Sequence, residues 1–382
     1  MMKKVTFLIM IFLTSFVFGF EKEYVFGNIV LPGINNSDEI KIVDNKLNNL
    51  NTVNLLKEVI QPKISLTLNN NFINLSTTIS LSSIIIENSK VFKYNLEKEY
   101  ISLSKRQKEN EIIYRILNLY SMIYNEKELL ELYLKVNDIL KKKENSEEYV
   151  QIINELENRI YFKKITIEEM ELDLKNMIGI DTSIKYLNLC EDPEFLEILK
   201  GINLNTNISN ESLNLEISRL EYKLNAERLY INNFSNVVNF YLDTNFETYD
   251  YGIRLSLFRL SGINLSFDYS LKSNDYNLSI YISFGNIEEI NRLNSPKFNE
   301  KREEYYYKKN IDIMYKKYFF YQEKYNEIKK LLESLNFETA TTENLIEHLQ
   351  KYENFIQIRG IYVQNTLKLA KEIGILDEIY HK

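Results

Sequence analysis

A mainly α chain with a smaller β part is what this sequence predicts: long coiled-coil helical hairpins joined to β-hairpins, with the pattern laid out twice. Three observations carry that reading. Apolar residues keep heptad spacing over long stretches, two clusters of short segments alternate with period two, and a matching helix ending recurs 195 residues apart.

The helices come first because their signal is the longest. Ile311, Met314, Tyr318, Tyr321, Tyr325, Ile328, Leu332 and Leu335 stand 3-4-3-4-3-4-3 apart without interruption. Ile153, Leu156, Ile160, Ile167, Met170, Leu174 and Met177 follow the same rule with Lys163 as one break, and Leu213, Ile217, Leu220, Leu224, Ile231 and Phe234 follow it with Glu227 as another. A repeat held near 3.5 keeps one seam turned toward a partner helix. The Tyr-rich stretch 305–325 reads as packing and not as an aromatic binding box.

The strands fall in two clusters. In the first, Ile64, Leu66 and Leu68 alternate with polar residues, Asn70-Asn71 supplies a turn, and Ile73, Leu75, Thr77, Ile79 and Leu81 alternate again. In the second, Val238, Phe240, Leu242, Thr244 and Phe246 keep period two, and three further runs lie over 253–257, 263–271 and 276–284, with turns at Ser261-Gly262 and Asn274-Asp275. Each run has about the length a tilted strand needs to cross a bilayer. Their polar partners are mostly Ser, Thr and Asn, which suits a wet, confined interior. Alternation alone equally allows a soluble sandwich with one wet face.

Duplication follows from spacing. Met177-Ile178-Gly179-Ile180-Asp181 ends one helical hairpin and Glu372-Ile373-Gly374-Ile375-Leu376 the other, 195 residues later; the strand clusters end 199 apart and the helix tips near 143–145 and 339–342 about 196 apart. Ser146 and Thr342 are placed to cap the returning helices. The helices entering the strands start at Ser37 and Ser209, only 172 apart. The shortfall matches one extra β-hairpin, near 251–272. The expected divisions are a first repeat at 20–181, a connector at 182–208 carrying Cys190 and Pro193, and a second repeat at 209–382.

The N-terminus sets the compartment. Met1-Met2-Lys3-Lys4 is a positive head, and residues 5–18 are apolar apart from Thr6, Thr14 and Ser15. This pattern is a secretory signal peptide ending at Gly19. The formal charge of −7 becomes −9 once Lys3 and Lys4 are removed, which argues against a nucleic-acid partner. Two histidines and one cysteine exclude a His/Cys metal cluster and a disulfide framework. There is no Gly-rich phosphate loop and no Ser/His/acid set, so no enzyme and no cofactor are expected. After residue 20 no apolar run approaches the ~18–20 residues of a spanning helix; membrane residence would have to use strands.

The order and spacing of these parts resemble the TolC-type outer-membrane factor family over nearly the whole mature chain. Pro62 stands where helix gives way to strand, Leu174-x-x-x-Ile178-Gly179 resembles the family's close of the first half, and Asn210-Glu211-Ser212-Leu213 its second-half opening. The helices lack the family's alanines, of which there are three, and Leu335-Asn336-Phe337-Glu338 replaces the Tyr-x-x-Gly common before the last long helix. The resemblance implies a homotrimer whose strands close one transmembrane β-barrel, four strands from each copy. It also implies helices extending as a periplasmic tunnel, and partnership with a periplasmic adaptor protein, an inner-membrane pump and outer-membrane lipid. Any periplasmic aperture would fall at Glu343, Asn344 and Glu347, where only the two glutamates are acidic and plain solvated helix charges read as well.

Physics agrees on closure, because hydrocarbon cannot satisfy an open strand edge. From Ile86 to about Lys143 is 58 residues, roughly 85 Å of unbroken helix, too long for one globular domain. The expected function is the passive outer-membrane duct of an efflux or type I secretion system. The alternative is a non-conducting periplasmic or surface coiled-coil protein, structural or adhesive; an adaptor of the same pump is disfavoured by the duplicated layout. The spacing arithmetic inclines toward four strands from each copy, with 251–272 exposed above the rim, since Arg254 and Arg259 would be costly in lipid.

Overall fold

A computed structural model describes residues 26–51, 63–69, 72–80, 87–142, 147–181, 183–204, 213–234, 238–244, 248–257, 263–282, 300–332 and 342–380. The signal segment, Pro62, the first tip at 143–146 with Ser146, Ser209, Arg259 and the 335–338 segment lie outside them. The elements in chain order are α1 (Phe26–Asn36), α2 (Asp38–Asn51), β1 (Lys63–Asn69), β2 (Phe72–Ser80), α3 (Glu87–Lys142) and α4 (Glu147–Ile178). After a 3-10 turn at Leu189–Glu191 come α5 (Pro193–Leu204), α6 (Leu213–Phe234), β3 (Val238–Thr244), β4 (Tyr249–Leu257), β5 (Ile263–Ser270), β6 (Asp275–Ile282), α7 (Glu300–Leu332), α8 (Thr342–Glu372) and α9 (Leu376–Tyr380).

The chain forms two compact units, one made of Met1–Lys41, Arg106–Ser212 and Lys308–Lys382, the other of Ile42–Lys105 and Leu213–Tyr307. Each draws on both halves of the sequence.

The first unit is helical, and its core follows the heptad positions. On α4 the buried residues are Ile153, Leu156, Ile160, Ile167, Leu174 and Ile178, and on α7 they are Tyr318 and Tyr325. Burial keeps the period on α4 as far as Leu174 and then moves to Ile178 where the seam would continue at Met177, and on α7 the seam positions Ile311, Met314, Tyr321, Ile328 and Leu332 are half-buried. Tyr325 stacks on Tyr362 and Phe355 with ring centroids 5.4 and 5.6 Å apart. The seam tyrosines Tyr318 and Tyr325 of the aromatic stretch therefore pack, whereas Tyr305, Tyr306, Phe319 and Phe320 are exposed.

Both helical hairpins end alike. Gly179 and Gly374 have φ of 67° and 74°, a left-handed conformation that glycine adopts without a Cβ penalty. The N–H of Ile180 reaches the carbonyl of Lys175 and that of Ile375 the carbonyl of Ala370, the bond that closes a Schellman cap.

Two elements exceed the sequence reading. α1 forms with Pro32 inside it, although Pro-Gly at 32–33 reads as a turn; Ile29, Val30 and Ile34 are buried in the core. The connector is also not a mere link. Asp192 caps α5, its side chain accepting from the N–H of Glu194 at 2.8 Å, with Pro193 at the first helical position. Phe195, Ile198 and Ile202 of α5 are fully buried.

The second unit holds one antiparallel meander in the order β1-β2-β3-β4-β5-β6. Beside it Leu96 of α3 packs with Leu220 and Leu224 of α6, and Arg228 pairs with Glu97 at 2.7 Å. The expectation of a hairpin standing apart at 251–272 is corrected here. β4 is laddered to β3 from Tyr249 through Leu255, and to β5 from Gly252 through Leu257. Spacing located an extra pair of strands, but it carries no information on how those strands hydrogen-bond.

Candidate functional site

The sheet separates its residues by face. Because the side-chain period is two, one row of register partners fixes every other row. Ile64 lies opposite Thr77, Thr77 opposite Leu242, and Leu242 opposite Tyr251; Ile253 lies opposite Tyr269 and Tyr269 opposite Tyr276. Followed along all six strands, this face holds only Ile, Leu, Val, Phe and Tyr positions apart from Thr77 and Thr244. The opposite face holds Ser, Thr, Asn and Asp with Lys63 and Arg254, interrupted by Phe72, Tyr241, Gly252 and Tyr281. On the apolar face Leu242, Tyr249 and Tyr276 are 42%, 57% and 75% exposed. Within the single chain, then, hydrophobic side chains stand open.

The polar face has its own bonding. Arg254 donates from Nε to Asp268 at 2.7 Å and lies 5.2 Å from the ring centre of Tyr241. The Tyr241 hydroxyl donates to Asp250 at 3.2 Å, and Ser270 donates to the same carboxylate. Gly252 is needed in this packing: a Cβ there would come within 2.0 Å of the Tyr269 carbonyl oxygen. Arg254, counted against membrane insertion on sequence alone, stands on the polar face with its charge paired.

The residues expected at an aperture lie in the first turns of α8. Leu345 and Leu349 anchor that segment, buried against Leu132, Val136 and Leu140 of α3 and Ile153 and Leu156 of α4. Asn344 and Glu347 are exposed, whereas the side chain of Glu343 lies outside the description. Glu347 pairs with Lys351 one turn on at 2.5 Å, and that bond holds its carboxyl below the usual range. The local geometry is that of an i,i+4 surface pair.

Sequence reasoning missed a buried polar tie in the helical unit. Arg359, 2% exposed, donates to Asn125 at 2.6 and 3.0 Å and to Glu128 at 2.5 Å. Tyr352 donates to the other oxygen of Glu128 at 2.9 Å. The signal was available: Arg359 falls on the apolar stripe of Phe355, Ile356, Tyr362 and Val363, where a charge requires a partner. A similar tie holds α9, where Asp377 accepts from Arg106 and Asn110 at 2.7 Å each.

Among the described residues no helix is long and apolar enough to cross a membrane. No protein-family model matches the chain, and no curated protein matches it in sequence. Solved structures do match in fold. The outer-membrane channel OprN aligns with a TM-score of 0.53 at 9% identity, over 91% of this chain and 89% of its own. The outer membrane protein VceC from Vibrio cholerae aligns at 0.51 and 8%, over 93% and 95%. The Campylobacter jejuni CmeC outer membrane channel aligns at 0.51 and 10%, over 91% and 85%. The chain thus has the fold of outer-membrane channels, and at that level its resemblance to the TolC-type outer-membrane factor family holds.

Proposed function

We propose that this chain is the outer-membrane channel component of a tripartite efflux or type I secretion system, a passive homotrimeric duct from periplasm to exterior with no catalytic turnover. The observation that carries the proposal is the sheet: one apolar face in register across every strand, and two edges, β1 and β6, that among the described residues have no second partner. An apolar face fits lipid hydrocarbon. Hydrocarbon does not tolerate open edges, so further copies must complete the ladder.

The helices support the need for further copies. Tyr306, Ile313 and Phe320 recur every seven residues on α7 and are exposed, as are Tyr161, Phe162, Ile165 and Leu172 on α4. These side chains lie off the seams buried within the chain and suit the flank of a neighbouring copy. The matched caps at Gly179 and Gly374 favour an internally duplicated chain with repeats at 20–181 and 209–382. In this reading residues 1–19 are removed on secretion, the strands sit in the outer membrane and the helices in the periplasm. Glu343, Asn344 and Glu347 then ring the periplasmic end, where an adaptor and an inner-membrane pump engage.

The test is reconstitution of the purified mature protein in a planar bilayer, with its mass in detergent measured in parallel. A trimer with stable conductance is expected. A strictly monomeric, non-conducting protein would overturn the proposal and favour a structural or adhesive coiled-coil role.

A further inference from the structure

Resting on that reading, we infer that all six strands of each chain enter the membrane wall, so that three copies close an eighteen-stranded barrel instead of a twelve-stranded one. Three observations independent of the resemblance support it. First, β4 and β5 are interior strands of the ladder, each paired on both sides. Were they to stand above a rim, the wall would have to run from β3 directly to β6, and among the described residues no such pairing exists.

Second, the pair obeys the same division of faces as the rest. Tyr249, Tyr251, Ile253, Leu255 and Leu257 of β4, with Ile263, Leu265, Phe267 and Tyr269 of β5, occupy the apolar row without one exception. A hairpin in water on both sides has no reason to keep that partition in step with its neighbours. Third, of the two charges that argued against insertion, Arg254, the one among the described residues, lies on the other face. Arg254 is matched to Asp268 on the adjacent strand and covered by Tyr241, an arrangement suited to a wet lumen and not to lipid.

The consequence is size. With strands about 4.8 Å apart and tilted by about 40°, eighteen strands give a backbone radius of about 18 Å, against about 12 Å for twelve. The outer mouth would belong with the wide, water-filled barrels, and its lining at β3 to β5 would include Asp243, Asp250, Arg254 and Asp268.

A cysteine scan separates this inference from the channel reading beneath it. In a Cys190→Ala background shown to conduct, single cysteines replace Leu75, Ser76, Leu278 and Ser279 in β2 and β6, and Leu255, Ser256, Ser266 and Phe267 in β4 and β5. The protein is placed in liposomes and treated with a charged, membrane-impermeant maleimide. Rapid labelling at the serine positions and protection at the apolar ones, in all four strands, is the expected result. Alternation in β2 and β6 with uniform labelling in β4 and β5 would overturn the eighteen-stranded wall and leave the channel standing. No alternation in any strand would overturn both.

Discussion

The helical unit and the sheet use apolar side chains in opposite ways. In the helical unit the largest ones meet within the chain: Tyr120, Tyr318, Phe195, Leu174 and Ile178 are all fully buried. In the sheet, among the described residues, Leu242, Tyr249 and Tyr276 of a face of comparable hydrophobicity stand exposed. In the proposed assembly the first region buries most of its core within one chain, and the second relies on neighbouring copies. The difference teaches where partners are required. Heptad helices satisfy their backbone internally and lack only a neighbour for their outer stripes, whereas a six-stranded sheet lacks both a solvent for its face and a strand for each edge.

Substitutions should respect that boundary. The largest effect is expected at the buried ion pair: Arg359→Ala takes from Glu128 the cation that balances it and should cost about 3–5 kcal/mol, read as a lowered melting temperature. Replacing both partners, as Arg359→Met with Glu128→Gln, should recover much of it. If the single variant melts like wild type, the helical unit is less dependent on its interior than its burial implies.

Next is the sheet. Leu75→Arg puts a charge on the apolar face and should cost about 2–4 kcal/mol of membrane insertion, while Ser76→Arg, one residue along on the polar face, should insert normally. Fractionation into outer membranes measures both. Equal behaviour of the two variants would erase the distinction between the faces.

Smaller effects probe the caps. Gly374→Ala should cost about 1–2 kcal/mol through its left-handed backbone. Gly179→Ala should cost more, because the new Cβ would meet Asn36 Nδ2 at 2.4 Å and disturb that side chain's hydrogen bond to the Ile178 carbonyl. Chemical denaturation compares them, and the opposite order would show that the Asn36 contact contributes little.

How far the sequence carries depends on whether the deciding force is local. Heptad seams, the turn at Asn274 with φ of 59° and the glycine caps were legible, since each is set by neighbours along the chain. α1 was not, because Pro32 and Gly33 argue locally for a turn and only burial of Ile29, Val30 and Ile34 outweighs them. The partnering of β4 with β3 and β5 was also out of reach, because strand pairing is chosen across the sheet. Glu343, Asn344 and Glu347, named from the sequence, fall in the first turns of α8, and the pairing of Glu347 with Lys351 needed the side-chain geometry.

The smallest effect should be electrostatic. Glu39 is held below the usual carboxylate range by its bond to Lys108, with Arg115 adding to it. Its contribution is therefore present above the ordinary value of 4.5 and lost as pH falls through the lowered one. As a solvent-exposed pair it is worth at most about 1 kcal/mol. Glu39→Gln should melt slightly below wild type at neutral pH, and the gap should close in acid; a gap that widened in acid would contradict the assignment.

The central claim is that the sheet closes only between copies. The direct measurement is disulfide trapping between its two edges, with one cysteine on the polar face of β1, at Ser65 or Thr67, and one on that of β6, at Asn277 or Ser279, in the Cys190→Ala background. Oxidised in outer membranes and run under denaturing, non-reducing conditions, at least one of the four pairs should give a covalent trimer that reductant returns to monomer. Cross-linking within single chains, or no cross-link from any pair, would contradict the account.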